Sequence, residues 1–239
     1  MKEKEKNTYC FLGIGGISMS ALALFLASRG NKVFGFDKKE SEITNNLVSK
    51  GIAVNDYNLI DLCNIVVVSS AISNEDELLK RLLRKNKKII NRGELLYKIS
   101  SEFPLKIGVA GTHGKTTTTA MLAHILNCAN LSFSAHIGGL DSEFGNMYLK
   151  GENIFLSEVC EYKKNIALFN SEMALLLNVA NDHVESYGNF NNLKREFSSY
   201  LNRSKTAIVD YDFCDLAPQN AITFSINNSN ADYYAKAIT

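Results

Sequence analysis

"LKIGVAGTHGKTTTTAMLAHILN", residues 105–127, holds the change of period that decides the fold. Residues 105–110 are largely apolar and run into Gly111, which predicts a short buried strand. Residues 111–114, Gly-Thr-His-Gly, are too rich in glycine for a helix interior. From Lys115 the apolar residues return at helical spacing and predict a helix over 115–128. A strand, a glycine turn and a helix opened by Gly-Lys-Thr form a phosphate-binding arrangement. Glycines let successive N–H groups face one concavity, and the helix N-terminus adds positive potential. Gly111, Thr112, His113, Gly114, Lys115, Thr116 and Thr117 are therefore the candidate nucleotide-binding residues. Lys115 reaches the β- and γ-phosphates and is the catalytic candidate, and Thr116 offers its hydroxyl to magnesium. The competing reading is a glycine turn beside an exposed lysine. The general nucleotide loop needs a glycine where Val109 stands, so "AGTHGKT" belongs to a narrower type.

Outward from this loop, strand-like runs recur at 9–14, 33–36, 65–68, 154–157, 173–179 and 206–209. Helical patterns lie at 17–29, 75–86 and 190–202. Alternating strands and helices predict an α/β fold with parallel sheets covered on both faces. The boundary falls near "SSEFPL", 100–105, just before the strand that leads to the loop. Residues 1–100 read as a Rossmann-like parallel-sheet domain, and residues 101–239 as a P-loop α/β domain.

Two further runs carry chemistry. "NIFLSEV", 153–159, delivers Glu158 at a strand end. "EMALLLNVANDH", 172–183, delivers Asn178, Asp182 and His183. Ligands of open α/β sheets sit off the carboxyl ends of the strands, so these groups converge on the phosphate loop. A carboxylate there suits magnesium, and an imidazole suits a second divalent ion or a hydrogen bond. Glu158 and His183, with Thr116, are the metal candidates, set against ordinary strand-end surface residues.

The start of the chain is ambiguous by composition. Residues 8–28 carry no charge, which raises a signal segment or membrane span. Against this, the lead "MKEKEKN" contains two glutamates, and Gly13, Gly15 and Gly16 divide the run into a strand and a helix. From the motif alone this turn admits a dinucleotide, another nucleotide or a purely structural role. Ser18 stands where a dinucleotide fingerprint needs its last glycine, and Asp37 ends the next strand. The formal net charge of +1 gives no basis for a nucleic-acid or anionic-membrane partner. The cysteines (Cys10, Cys63, Cys128, Cys160, Cys214) form no C-x-x-C pair, which suits free thiols in a reducing compartment. Cys160 reads as a strand-end packing residue, with a reactive thiol as the alternative, and His124 and His136 are set aside as packed or bordering histidines.

"GIGGISMS" (13–20), "VVVSSAI" (66–72), "GTHGKTTT" (111–118), "EVCEY" (158–162) and "NVANDHVESYG" (178–188) follow one another in order. Together they resemble the Mur ligases of peptidoglycan synthesis, over essentially the whole chain, and most of all the branch that acts on UDP-N-acetylmuramate and L-alanine. The resemblance implies a cytoplasmic, ATP- and Mg2+-dependent ligase that forms an amide bond through an acyl phosphate. It places Gly15, Gly16, Ile17 and Ser18 at the sugar diphosphate, and Asp37, Ser69, Ser70 and Ala71 near the nucleotide. It adds His183 to Lys115 as a catalytic residue, and sets His113 near the acceptor carboxylate. Ser18, Gly93 and Glu185 depart mildly from the family pattern. Such ligases carry three domains, so the resemblance implies a partial central domain, no C-terminal domain and incomplete activity in this chain. The rivals are the ligase that returns a recycled tripeptide to the same sugar, and a fragment that binds nucleotide or UDP-sugar without catalysis.

Overall fold

The computed structural model describes residues 6–182 and 186–236, the side chains of 162–164 excepted. By packing, residues up to 98 and 139–148 form one unit, and 99–138 with 149 onward form the other. Residues 139–148 lie in the stretch assigned from sequence to the second domain. Within the first unit, Asn146 Nδ2 donates to Ile17 O and to Ser20 Oγ, both at 2.7 Å.

The first unit is built on β1 (Thr8–Leu12), β2 (Lys32–Phe36), β3 (Ala53–Val54), β4 (Ile65–Val68) and β5 (Lys88–Asn91). The strands pair in parallel in the order β3-β2-β1-β4-β5. Helices α1 (Ile17–Ser28), α2 (Glu42–Ser49), α3 (Glu77–Arg84) and α4 (Arg92–Ser100) follow β1, β2, β4 and β5. The uncharged run that raised a membrane span is thus β1, a turn and a twelve-residue α1. No helix among the described residues is long and apolar enough to cross a membrane. Met19, Ala21, Leu22, Ala23, Phe25 and Leu26 are all buried, which explains why α1 shows no polar stripe. Ser41 and Thr44 form a capping box on α2, and Asp76 caps α3 by accepting from Leu78 and Leu79 N–H. The core on one face of the sheet gathers Cys10, Leu12, Phe34, Phe36, Val66 and Leu82. Chain order reverses at β1, so the loops after β1 and β4 open a crevice at the carboxyl end of the sheet.

The other elements are β6 (Leu105–Ala110), α5 (Lys115–Cys128), β7 (Phe133–Asp141), β8 (Gly145–Leu149), β9 (Ile154–Glu158), β10 (Met173–Leu176), α6 (Phe190–Asn202), β11 (Thr206–Asp210), β12 (Ile222–Ser225) and β13 (Tyr233–Tyr234), whose strands form one eight-stranded sheet. The strand order is β13-β12-β11-β10-β6-β9-β7-β8. The pairs from β13 to β7 are parallel. β6 is central, between β10 and β9, so the loops that leave all three strands emerge side by side. Tyr200 of α6 packs behind β6, and its hydroxyl shares a 2.6 Å hydrogen bond with Ser171. A Cβ at Gly108 would sit 2.1 Å from that hydroxyl, so only glycine fits there. At the other end of β6, Lys106 Nζ pairs with Glu172 at 3.1 Å, and Lys106 N–H donates to the same carboxylate at 2.8 Å. Burial alone would raise the Glu172 pKa, but the hydrogen bonds and charge of Lys106 hold it below the usual range.

Candidate functional site

The predicted phosphate loop leaves β6 at Gly111, whose φ of 140° is one that favours glycine. It enters α5 at Gly114, the helix N-cap, in the left-handed region with φ 81°. The segment after β10 clamps the loop from one side. Thr112 N–H donates to Asn178 O at 3.1 Å, and His113 N–H to Asn178 Oδ1 at 2.8 Å. Asn178 Nδ2 returns a bond to His113 O at 3.0 Å. Ala180 N–H donates to Thr112 Oγ1 at 2.8 Å. Sequence reading ran this strand to residue 179 and carried Asn178 into the site. In the fold β10 ends at Leu176, and Asn178 spends its amide group on the loop backbone. The carboxamide thereby satisfies both the N–H and the carbonyl of His113.

Lys115 opens α5, and its side chain turns back over the loop instead of standing free. Its Nζ donates to Gly111 O at 2.5 Å and Thr112 O at 3.1 Å. It pairs with Glu161 at 3.1 Å to Oε2 and 3.3 Å to Oε1. The Lys115 side chain is 15% exposed and that of Glu161 only 2%. Among the described residues Glu161 Oε2 has no hydrogen-bond partner, so its contact with Lys115 is one of charge. The Glu161 backbone carbonyl accepts from the Tyr187 hydroxyl. Burial, with Glu196, Glu161 and Cys160 nearby, pushes the Tyr187 pKa up and keeps it a donor.

Thr116 Oγ1 donates to Glu158 Oε2 at 2.8 Å, which brings two of the three metal candidates together. The Glu158 carboxylate lies where a side chain at Gly138 of β7 would be: a Cβ there would sit 1.9 Å from Oε1. Beside it, His136 is fully buried, and its Nδ1 is 3.0 Å from Ser157 Oγ. The third metal candidate, His183, lies outside the described residues, as does Glu185. Asp182 is exposed in the segment after β10, and His113 and Thr117 are exposed on the loop. Among the described residues, no three carboxylate, imidazole or thiol side chains gather to hold a metal. A hydroxyl and a carboxylate are nonetheless a hard-oxygen pair. Magnesium usually takes one or two carboxylates and completes its shell with phosphate oxygens and water, so Thr116 and Glu158 fit it.

In the first unit the two predicted motifs meet at the crevice. Ser69 N–H donates to Leu12 O at 3.0 Å, and a Cβ on Gly13 would fall 2.9 Å from Ser69 Cβ. Ser70 and Ala71 are next along this loop, and Ala71 N–H donates to Ser69 Oγ at 3.3 Å. Gly15 N–H is taken by Asp37 Oδ2 at 2.8 Å, and Gly16 N–H by Gly13 O at 3.3 Å. Gly13 and Ile14 both donate to Phe36 O. The amides of Gly15 and Gly16 are therefore used inside the turn. The donors that α1 cannot satisfy for itself belong to Ile17, Ser18 and Met19. Asp37 acts on the turn itself, since its carboxylate also accepts from Lys39 N–H at 3.1 Å. Arg92 extends Nη1 to Ser18 Oγ at 3.1 Å, which puts a guanidinium at the first turn of α1.

Sequence reading missed Glu161, Gly138 and Arg92 as parts of these sites. Glu161 had a signal, since it follows Glu158 by one turn-like step in "EVCEY". Arg92 had none beyond its charge, because its role depends on β5 lying beside β4.

Residues 8–104 match the family described as Mur ligase family, catalytic domain, and residues 109–239 match the Mur ligase middle domain. A UDP-N-acetylmuramate–L-alanine ligase of Clostridium perfringens is 33% identical over 96% of this chain and 53% of its own length. One from Caldicellulosiruptor bescii is 36% identical over 86% of this chain and 47% of its own. The crystal structure of the UDP-N-acetylmuramate–alanine ligase of Thermotoga maritima superposes with a TM-score of 0.84 at 29% identity, covering 93% of this chain and 53% of that one. The chain spans about half the length of the curated relatives it matches. With both family models matched in order, and the second covering more than half of the residues, the chain belongs to the Mur ligase family.

Proposed function

We propose that the chain forms the UDP-sugar-binding and nucleotide-binding parts of a ligase that joins L-alanine to UDP-N-acetylmuramate at the expense of ATP. The observation that carries the reading is the second unit's loop. Its backbone is held open by Asn178, with Lys115 and the Thr116–Glu158 pair at its helix end. The names of the relatives, UDP-N-acetylmuramate–L-alanine ligase, favour this substrate pair. Residues 1–100 and 101–239 are the proposed domains, and the cytoplasm is the proposed compartment.

In this reading the γ-phosphoryl of ATP passes to the lactyl carboxylate of the sugar. The acyl phosphate has a good leaving group, the amine of L-alanine attacks its carbonyl carbon, and phosphate departs. Lys115 and the loop amides of 111–117 neutralise charge on the transferring group, which is mainly positioning and electrostatics. Thr116 and Glu158 would hold Mg2+, which adds positive charge at the phosphates when bound. His183 is proposed as a further ligand or donor there. In the first unit the amides of Ile17, Ser18 and Met19 and the Arg92 guanidinium face the diphosphate, with 69–71 beside the nucleotide.

Calorimetric titration of the chain with Mg-ATP and with UDP-N-acetylmuramate tests the two halves separately. Both ligands are expected to bind. Lys115→Ala should abolish ATP binding and leave sugar binding intact. ATP affinity unchanged in that variant would overturn the loop reading, and absence of sugar binding would overturn the reading of the first unit.

A further inference from the structure

We propose that Glu161 is a positioning residue that competes with nucleotide phosphate for Lys115. The inference rests on reading 111–117 as a nucleotide loop. An ammonium has three hydrogens to donate. Those of Lys115 are directed at Gly111 O, Thr112 O and the Glu161 carboxylate. A phosphate oxygen gains Lys115 only when one of these partners is released or shares it.

The three partners are not equal. Two are neutral carbonyls of the loop. The third is an anion with a residue exposure of 1%, and among the described residues its Oε2 has no hydrogen bond to offset the loss of water. Glu161 therefore opposes phosphate in either of two ways. If Lys115 leaves, a carboxylate stays buried without its cation, which is costly. If Lys115 stays and shares, its charge is already partly neutralised and attracts phosphate less. In both cases removing the charge at 161 tightens nucleotide binding. A merely structural role predicts the opposite sign, since loosening the loop would weaken it. The contest also favours release of spent nucleotide, because Lys115 has an anion to return to.

The test is isothermal titration of the full chain with Mg-ATP and, separately, with Mg-tripolyphosphate. Glu161→Gln keeps the shape and removes the charge. It should bind both ligands roughly tenfold more tightly than the native chain, the scale of one charge-assisted hydrogen bond. Circular dichroism checks that the fold is retained. Equal or weaker binding by folded Glu161→Gln overturns the proposal. Should that variant not fold, Glu161→Asp keeps the charge but shortens its reach. It should show a smaller tightening, and unchanged or weaker binding by it overturns the proposal equally. If the native chain binds neither probe, the nucleotide-loop reading itself falls. If the native chain binds and the variants do not tighten, only the competition falls.

Discussion

Gly138→Ala tests the arrangement of Glu158 without touching any group that meets a ligand. The backbone at Gly138 is not in the left-handed region, so alanine brings no conformational strain. The added Cβ would lie 1.9 Å from Glu158 Oε1, 2.2 Å from its Cδ and 2.3 Å from Oε2. Real Cβ contacts essentially never fall below 3.0 Å, so the carboxylate must retreat by about 1 Å. That movement breaks the 2.8 Å bond from Thr116 Oγ1. Glu158 is only half-buried and has room to rotate, so the fold should survive. Loss of one charge-assisted contact is worth about 1.5–3 kcal/mol, or roughly ten- to hundredfold in affinity. The expected result is a drop of that size in Mg2+-dependent ATP affinity by calorimetry, with nucleotide binding in EDTA little changed. Unaltered magnesium dependence in a folded Gly138→Ala protein would refute the assignment of Glu158.

Two other perturbations give separate readings. Asn178→Ala removes both side-chain bonds to the His113 backbone, and should weaken ATP binding by about tenfold through loss of loop order, without shifting UDP-sugar affinity. Glu172→Gln should destabilise the second unit by about 1–2 kcal/mol at neutral pH in urea unfolding, as expected for a partly buried charge-assisted pair. Since the folded carboxyl titrates below its unfolded value, its stabilisation is full above the ordinary glutamate range and is lost as pH falls through the lowered value. The difference between native and variant should therefore shrink toward zero in acid. A gap that persists at low pH would show that packing, not charge, accounts for it.

The parts of this fold that were legible in sequence are those where one local pattern carries the signal. The helix at 115–128 and the strand at 105–110 were read to the residue, because glycines mark the junction between two clear periods. The α/β class and the strand–glycine turn–helix arrangement followed from that junction. Elements without periodicity were not read. In α2, only Thr44 and Leu47 are buried, and α4 has Gly93 near its start. β7, "FSAHIGGLD", is interrupted by two glycines, and Gly138 leaves space for the carboxylate of Glu158 on β9. The site was legible as residue types but not as partnerships. Lys115 was readable as the lysine that opens the helix after the glycine loop, whereas its burial against Glu161 depends on where the chain runs after β9. Asp37 was readable as a strand-end acid, yet its partner is the amide of Gly15.

The bonds between the glycine loop and the residues after β10 tie the two stretches together. Thr112, His113, Asn178 and Ala180 exchange backbone and side-chain bonds in both directions. Neither stretch can open alone, because each supplies partners that the other lacks. The loop and residues 177–180 thus behave as one unit for local opening, and their amides should share a single free energy of hydrogen exchange. Coupling of this kind is reciprocal: whatever steadies one stretch steadies the other by the same amount. A ligand seated at the loop would be felt beyond β10, and any contact made on that segment would be felt at the loop.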